Sequence, residues 1–328
     1  MKIARIFLLA ICCVYATAAH SQKIGFLMDD FISDRWFSDE KYFKETVQQL
    51  GGEVLMEVAN ADTAAQYSLA KKLLDAGVKV LVVIPTDAHQ ASRIVDLATK
   101  YKVPVVSYDR LILNDKLAVY VSYDNLKVGR LQAEYALKKV PAGNYILLNG
   151  PTSDNNAVLF KAGQDEVLKP HIQSGKIKVL ADLVMSDWGE LGAMIKINEL
   201  MTDNKFKPDA IVAANDALAT GAIASLPGPL LTKTIVTGQD ADLAGVRNII
   251  SGRQAMTVYK PIKPLAKKAA ELAMKLAKGE KLDGLTKMKS SNITVNAVLL
   301  NPVAVDQSNY KDTVVKDGHV KLPELEKK

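Results

Sequence analysis

The sequence predicts an α/β protein made of two doubly wound units in tandem. Three observations carry this: continuous Val/Ile/Leu runs recur along the chain, helical patterns lie between them, and the whole alternation repeats in the second half. A strand covered by helices on both faces of a parallel sheet reads as an unbroken apolar run. Such runs alternating with helices define an α/β sheet.

In the first unit the strand-like runs are Lys23-Leu27, Glu53-Val58, Val78-Ile84, Val103-Ser107 and Val119-Tyr123. Helical patterns fill the gaps at Arg35-Leu50, Ala64-Ala76 and Ala88-Lys100. Gly51-Gly52 and Gly77 stop the first two, where a helix end calls for positive φ. The second unit opens with a helix over Leu126-Lys139, and Pro141-Ala142-Gly143 turns it into strand Asn144-Leu148. Strands follow at Ile177-Val184, Ala210-Ala214, Thr234-Gly238 and Ala255-Tyr259. A late helix, Pro264-Lys278, sets Leu265, Ala269, Leu272, Ala273 and Leu276 on one stripe, and Gly279 closes it. A polar stretch, Lys281-Asn292, and a strand-like segment, Ala297-Val305, complete the pattern, and the tail from Leu322 to Lys328 is expected to fray.

The N-terminus points to export. Lys2 and Arg5 precede an apolar stretch, Ile6-Ala16, and Ala16-Thr17-Ala18 gives a small-x-small cleavage pattern. The stretch is too short to span a bilayer, which takes about 20 residues. A cleaved leader over residues 1–21 removes Cys12 and Cys13, the only cysteines, so the mature chain has no thiol for catalysis or metal binding. The leader also takes Lys2 and Arg5 with it, lowering the formal charge from +6 to about +4. Basic residues come at most two in a row, as at Lys267-Lys268, which suits solvated helix faces and gives no nucleic-acid surface. About 300 residues exceed what one core usually supports, in keeping with two lobes.

Ligands of open α/β sheets bind beyond the carboxyl ends of the strands. Those ends carry Asp29-Asp30 and Arg35-Trp36, Tyr108-Asp109-Arg110, and Tyr123-Asp124-Asn125 in the first unit. In the second they carry Asp154-Asn155-Asn156, Asp187-Trp188, Asn215-Asp216, Gln239-Asp240 and Tyr259-Lys260. Two such rims facing each other make a cleft. Asp, Asn and Arg are planar, multi-dentate groups that match vicinal hydroxyls. Trp36 and Trp188, one in each unit, can cover the apolar face of a sugar ring. The chemistry is that of a neutral polyol site.

The segments that hold these residues resemble the periplasmic binding proteins type I of the ribose/galactose/xylose class of ABC importers, the D-xylose branch above all. Ile24-Gly25, Val82-Val83-Ile84-Pro85, Tyr108-Asp109-Arg110 and Asp154-Asn155-Asn156 carry the resemblance, with the run Gly238-Gly245, Met256-Pro261 and the Asp317-Gly318 tail. It implies two Rossmann-like lobes, each a doubly wound parallel sheet, joined by a three-strand hinge that crosses near Asn125, Lys260 and Asn292. The N-terminal lobe would hold residues 23–125 and 261–292, and the C-terminal lobe 126–260 and 293–320, with 321–328 a frayed tail. The sugar contacts it implies fall on Arg35, Trp36, Asp109, Arg110, Asn155, Trp188, Asn215, Asp240 and Lys260. Lys161 joins them as a departure, standing where that branch usually has arginine, and lysine lacks the bidentate fork. The loop Leu226-Pro227-Gly228-Pro229 also departs, away from the ligand.

The implied function is capture of a monosaccharide, D-xylose first, by hinge closure in the periplasm. Delivery would be to a membrane ABC permease, or alternatively the bound sugar would be presented to a membrane sensor. The chain is expected to act as a monomer without cofactor, metal or nucleic acid. Enzymes of this architecture need a phosphate cradle, and no strand here leads into G-x-G-x-x-G or G-x-x-x-x-G-K-[ST]. His20, His89, His171 and His319 are scattered, and a DNA-binding regulator would need an N-terminal helix-turn-helix where the export signal stands.

Overall fold

The computed structural model describes residues 21–326 except Ile32, Asp34 and Asn204. The leader expected over residues 1–21 lies outside the described residues, apart from Ser21. The first lobe begins β1 (Gln22–Met28), α1 (Arg35–Gln49), β2 (Gly52–Val58), α2 (Thr63–Asp75), β3 (Val80–Val83), α3 (Ser92–Lys100), β4 (Val105–Tyr108) and β5 (Val119–Tyr123). The second takes over with α4 (Asn125–Lys139), β6 (Gly143–Asn149), α5 (Asn155–Gln173), β7 (Ile177–Val184), α6 (Glu190–Met201), β8 (Ala210–Ala213) and α7 (Asp216–Ser225). It continues through α8 (Gly228–Leu231), β9 (Ile235–Thr237), α9 (Leu243–Ile250) and β10 (Thr257–Tyr259). The chain then returns to the first lobe with α10 (Ile262–Ala277), β11 (Thr286–Ser290) and β12 (Ile293–Leu300), and ends in the second with β13 (Val303–Val305) and α11 (Leu322–Glu326).

The first sheet runs β11-β12-β5-β4-β3-β1-β2, parallel except for the antiparallel edge β11. The second runs β7-β6-β8-β9, all parallel, and β10 and β13 pair beside it as an antiparallel ribbon. Each sheet reverses its winding in the middle, at β1/β3 in one and β6/β8 in the other. Such a switch point opens a crevice at the carboxyl ends of the strands. The apolar runs are buried on both faces as their composition requires: β3, β4, β5 and β8 are buried at every position. One face of the first sheet packs against α1 and α10, with Phe43, Val47, Leu265, Ala269 and Ala273 in a single core. The other packs against α2 and α3 through Leu73, Leu74, Ile94 and Val95. The stripe predicted on the late helix is thus the surface that returns it to the first lobe.

Three details correct the expectations. The polar stretch Lys281-Asn292 contains β11, an edge strand whose residues are mostly exposed, so a polar sequence costs it nothing. The segment expected as one strand, Ala297-Val305, is two. β12 pairs in parallel with β5 of the first sheet, so the third crossing falls after Leu300 and not near Asn292. Leu322–Glu326 forms α11 where fraying was expected, because the Arg247 guanidinium donates to the Glu324 carbonyl at 2.5 Å and Leu325 packs on a small core.

The crossings are tied together. The Tyr123 hydroxyl donates to the Pro261 carbonyl at 2.6 Å, and the Asp124 amide donates to the Leu300 carbonyl at 2.9 Å. Just beyond the first crossing, α4 lies directly against α5. A Cβ on Gly129 would run into the Phe160 carbonyl, and one on Gly163 into the Leu126 carbonyl. Glycine is required there because two backbones meet. This contact fixes the start of α5, which faces the other lobe.

Candidate functional site

The loops after the strands do two jobs at once. Asp154, Asn215 and Asp242 each cap the helix that follows, accepting backbone N–H groups of Asn156, Leu218 and Gly245. Such caps satisfy orphan amides and fix the loops that carry the site. From these loops the two rims meet face to face.

Arg35, first residue of α1, lies at the centre. Its Nη2 donates to Asp109 at 2.8 Å, its Nε to Asp39 at 3.3 Å, and its Nη1 crosses to Asp240 of the second lobe at 3.4 Å. Arg110 makes the second crossing. Its Nη1 pairs with Asp29 of its own lobe at 2.5 Å, and its Nε with Asp154 of the other at 2.9 Å. Lys260, at the middle crossing, places Nζ 3.9 Å from Asp109 and 3.8 Å from Asp240, and 5.6 Å above the Phe160 ring. Amides complete the closure. Asn156 Nδ2 donates to Asp109 at 3.3 Å, Asn125 Nδ2 to Asn156 at 2.8 Å, and Ser290 Oγ to Asn155 at 3.0 Å.

The two indoles differ in surroundings. Trp36 is buried, with the guanidinium carbons of Arg35 and Arg110 at 4.5 and 5.4 Å from its ring centre. Trp188 is half-buried; its Nε1 donates to Asp154 at 3.2 Å, and its ring meets Phe160 edge-on at 6.1 Å. Gly150 makes room for that ring, since a Cβ there would strike it. Asn215 is engaged twice, capping α7 and donating through Nδ2 to the Trp188 carbonyl at 3.2 Å.

Burial and charge set the ionisation. Burial would raise the Asp109 carboxyl, but Arg35, Lys260 and Arg110 outweigh it and hold the group down at about 2. Burial would likewise depress the two arginines, and their carboxylate partners raise them instead. Asp39 and Asp154 go the other way: burial raises both, and Arg35 and Arg110 respectively pull back only in part. Asp39 accepts the Tyr108 hydroxyl, whose own ionisation burial pushes well up.

Nine of the ten candidates gather around this junction: Arg35, Trp36, Asp109, Arg110, Asn155, Trp188, Asn215, Asp240 and Lys260. Lys161 stands apart, its ammonium held by Asp165 at 2.5 Å and Asp182 at 3.2 Å. Asp29, Asp39, Asp154, Asn156 and Phe160 belong to the same cluster and were not among the candidates. Asp29, Asp154 and Asn156 had a signal, since each stands at a strand end in the sequence, and Asp39 had the i,i+4 spacing from Arg35 on the predicted helix; Phe160 lies inside a helix and had none. Two buried atoms of the cluster, Asp29 Oδ1 and Asn155 Nδ2, have no protein partner.

Two lobes whose rims interlock through charged and amide side chains define the class of two-lobed solute-binding proteins. The chain belongs to the periplasmic binding protein domain family, whose match spans residues 24–281. It is similar to the D-xylose-binding periplasmic proteins of Haemophilus influenzae, at 43% identity over 97% of each chain, and of Escherichia coli, at 43% identity over 94% of each. Among solved structures it is similar to a carbohydrate transporter solute binding protein of Chloroflexus aurantiacus in complex with D-glucose. That match has a TM-score of 0.86 and 28% identity, covering 93% of this chain and 98% of the other. The resemblance read from the motifs and the two-lobed α/β fold are both borne out.

Proposed function

We propose that this protein captures a monosaccharide, D-xylose foremost, between its lobes in the periplasm and delivers it to a membrane ABC permease. The observation that carries the reading is the charge-balanced seam: Arg35 to Asp240 and Arg110 to Asp154 span the cleft, and Lys260 serves both lobes. Buried charges that already compensate one another suit a neutral ligand, because an ionic one would break the balance. The arginine and lysine donors, the carboxylate acceptors and the amides together match a polyol, and Trp188 offers an apolar face beside them. The unpartnered Asp29 Oδ1 and Asn155 Nδ2 supply one further acceptor and one donor. Two relatives named for D-xylose binding support the choice of sugar. The contact set is the nine clustered residues, extended by Asp154, Asn156 and Phe160. The leader is cleaved on export, the mature chain acts as a monomer, and no cofactor takes part.

Binding and not turnover is the expected activity. A thermal-shift panel of D-xylose, D-ribose, D-galactose, D-glucose and an amino acid tests the reading, since a ligand that binds the folded state raises its apparent stability. D-xylose gives the largest shift. A larger shift with the amino acid, or none with any sugar, overturns the assignment.

A further inference from the structure

Asp240, which with Asp154 supplies the second lobe's carboxylates to the ion pairs across the cleft, stands on strained backbone. It and its neighbour Ala241 both have positive φ, 98° and 56°, and neither is glycine. Consecutive L-residues keep such a conformation only where the surroundings over-determine it. What over-determines it is a carboxylate outside the cleft contacts.

Asp216, the first residue of α7, is fully buried beneath this loop. Its Oδ2 accepts the Asp242 amide at 3.0 Å and the Thr257 hydroxyl at 2.9 Å, and its Oδ1 accepts Gln254 Nε2 at 2.7 Å. The Thr257 oxygen in turn accepts the Ala241 amide at 3.1 Å. The amide before that, on Asp240, donates to the Val258 carbonyl at 2.9 Å. Three successive amides are therefore tied down, two of them to Asp216 directly or through one hydroxyl. Of these amides Asp242's reaches the Asp216 carboxyl directly and Ala241's reaches it through Thr257, while burial and the neighbouring Asp242 push the ionisation of that carboxyl well up. Gly238 and Gly245 leave it room, since a Cβ on either would collide with the Asp216 carboxylate. On the far side His319 Nε2 donates to the Ala241 carbonyl at 2.9 Å. Among the described residues no cation pairs with Asp216, so the carboxylate is held by hydrogen bonds to the loop and its supports.

We propose that Asp216, acting through Thr257, is a positioning residue that sets Asp240 against Arg35 and Lys260 and thereby sets sugar affinity without touching the sugar. This rests on the reading of the cleft as a sugar site. Without these hydrogen bonds, the backbone at Asp240 and Ala241 relaxes toward negative φ and Asp240 loses its aim across the cleft.

The test is a set of variants of the mature chain: Thr257→Val, Thr257→Ser, Asp216→Asn and Asp240→Asn, with Thr257→Val combined with Asp240→Asn. Sugar affinity is read by calorimetry and stability by urea unfolding. Thr257→Val keeps the shape of the side chain and removes the hydroxyl, and weakens binding by up to about tenfold, the upper worth of one net hydrogen bond. Thr257→Ser restores the hydroxyl and binds within about twofold of the unaltered protein. In the Asp240→Asn background Thr257→Val costs less than about threefold more, because its effect passes through Asp240. Asp216→Asn follows Thr257→Val. Should Asp216→Asn fail to fold, the Thr257 pair decides alone. Thr257→Val that binds normally, whatever its stability, or whose effect adds in full to that of Asp240→Asn, overturns the proposal. If the unaltered protein binds no sugar, the functional reading fails on its own. The urea cycle between Thr257 and Asp240 still decides the positioning role, and zero coupling refutes it.

Discussion

Arg110→Met separates what closes the cleft from what holds one lobe together. The guanidinium makes two ion pairs of different kinds. The contact with Asp29 at 2.5 Å lies within the first lobe and exists whether or not the lobes meet, whereas the contact with Asp154 at 2.9 Å crosses the cleft. Methionine keeps the apolar stem and removes the charge. Losing the Asp29 pair leaves a buried carboxylate alone in the free protein, which costs about 3–5 kcal/mol at most. Losing the Asp154 pair acts on the closed form only. One charge-assisted hydrogen bond is worth about 1.5–3 kcal/mol, so sugar affinity falls by about 10- to 150-fold. The pH dependence gives a second handle. Burial already raises the Asp154 carboxyl, and Arg110 pulls it back. Without Arg110 it rises further in the closed form, so closure takes up a proton and affinity improves as pH falls from 7 to 5. Calorimetry at the two pH values and urea unfolding of the free protein measure both effects. Affinity within about threefold of the unaltered protein at pH 7, in a folded variant, refutes the closing role of this pair.

Other expectations follow from the same geometry. Asp109 is held at about 2, below the ordinary 3.8, which corresponds to about 2 kcal/mol of folded-state stability. A depressed carboxyl contributes fully above its unfolded value and loses that contribution as pH falls through the folded one. Acid unfolding should therefore show an Asp109-dependent loss between about pH 4 and pH 2, absent in Asp109→Asn. Lys161→Ala should change affinity by less than about threefold, since its ammonium serves Asp165 and Asp182 and not the cleft; a larger loss in calorimetry would place Lys161 in the site. Gly129→Ala should destabilise by about 1–3 kcal/mol in urea, as α4 and α5 are forced apart, and an unchanged midpoint would contradict the close approach.

The sequence made the architecture readable where burial leaves a pattern. Val80–Val83 and Val105–Tyr108 are buried throughout, and such strands must be apolar. Edge strand β11 escapes the same reasoning because most of its residues, Thr286, Lys287 and Lys289, face solvent and leave no apolar run. The third crossing was misplaced for a related reason: nothing in Ile293–Leu300 tells which sheet it will join, and the pairing with β5 is a tertiary fact. In the site, Arg35, Asp109, Arg110 and Asp240 were legible because strand ends predict the rim. Phe160 was not, since it becomes part of the cluster only when its helix docks, and Asp39 showed only through its i,i+4 spacing from Arg35. Asp216 stood in view at a strand end, but its role depends on the left-handed turn of a loop distant in sequence.

Solution scattering of the mature protein during a D-xylose titration bears most directly on enclosure by two lobes. If the cation–carboxylate seam is completed around the sugar, the radius of gyration falls to a plateau at saturation, and Arg110→Met needs more sugar to reach it. Scattering curves that stay superimposable at saturating D-xylose, and with every other monosaccharide tried, would contradict closure around a sugar.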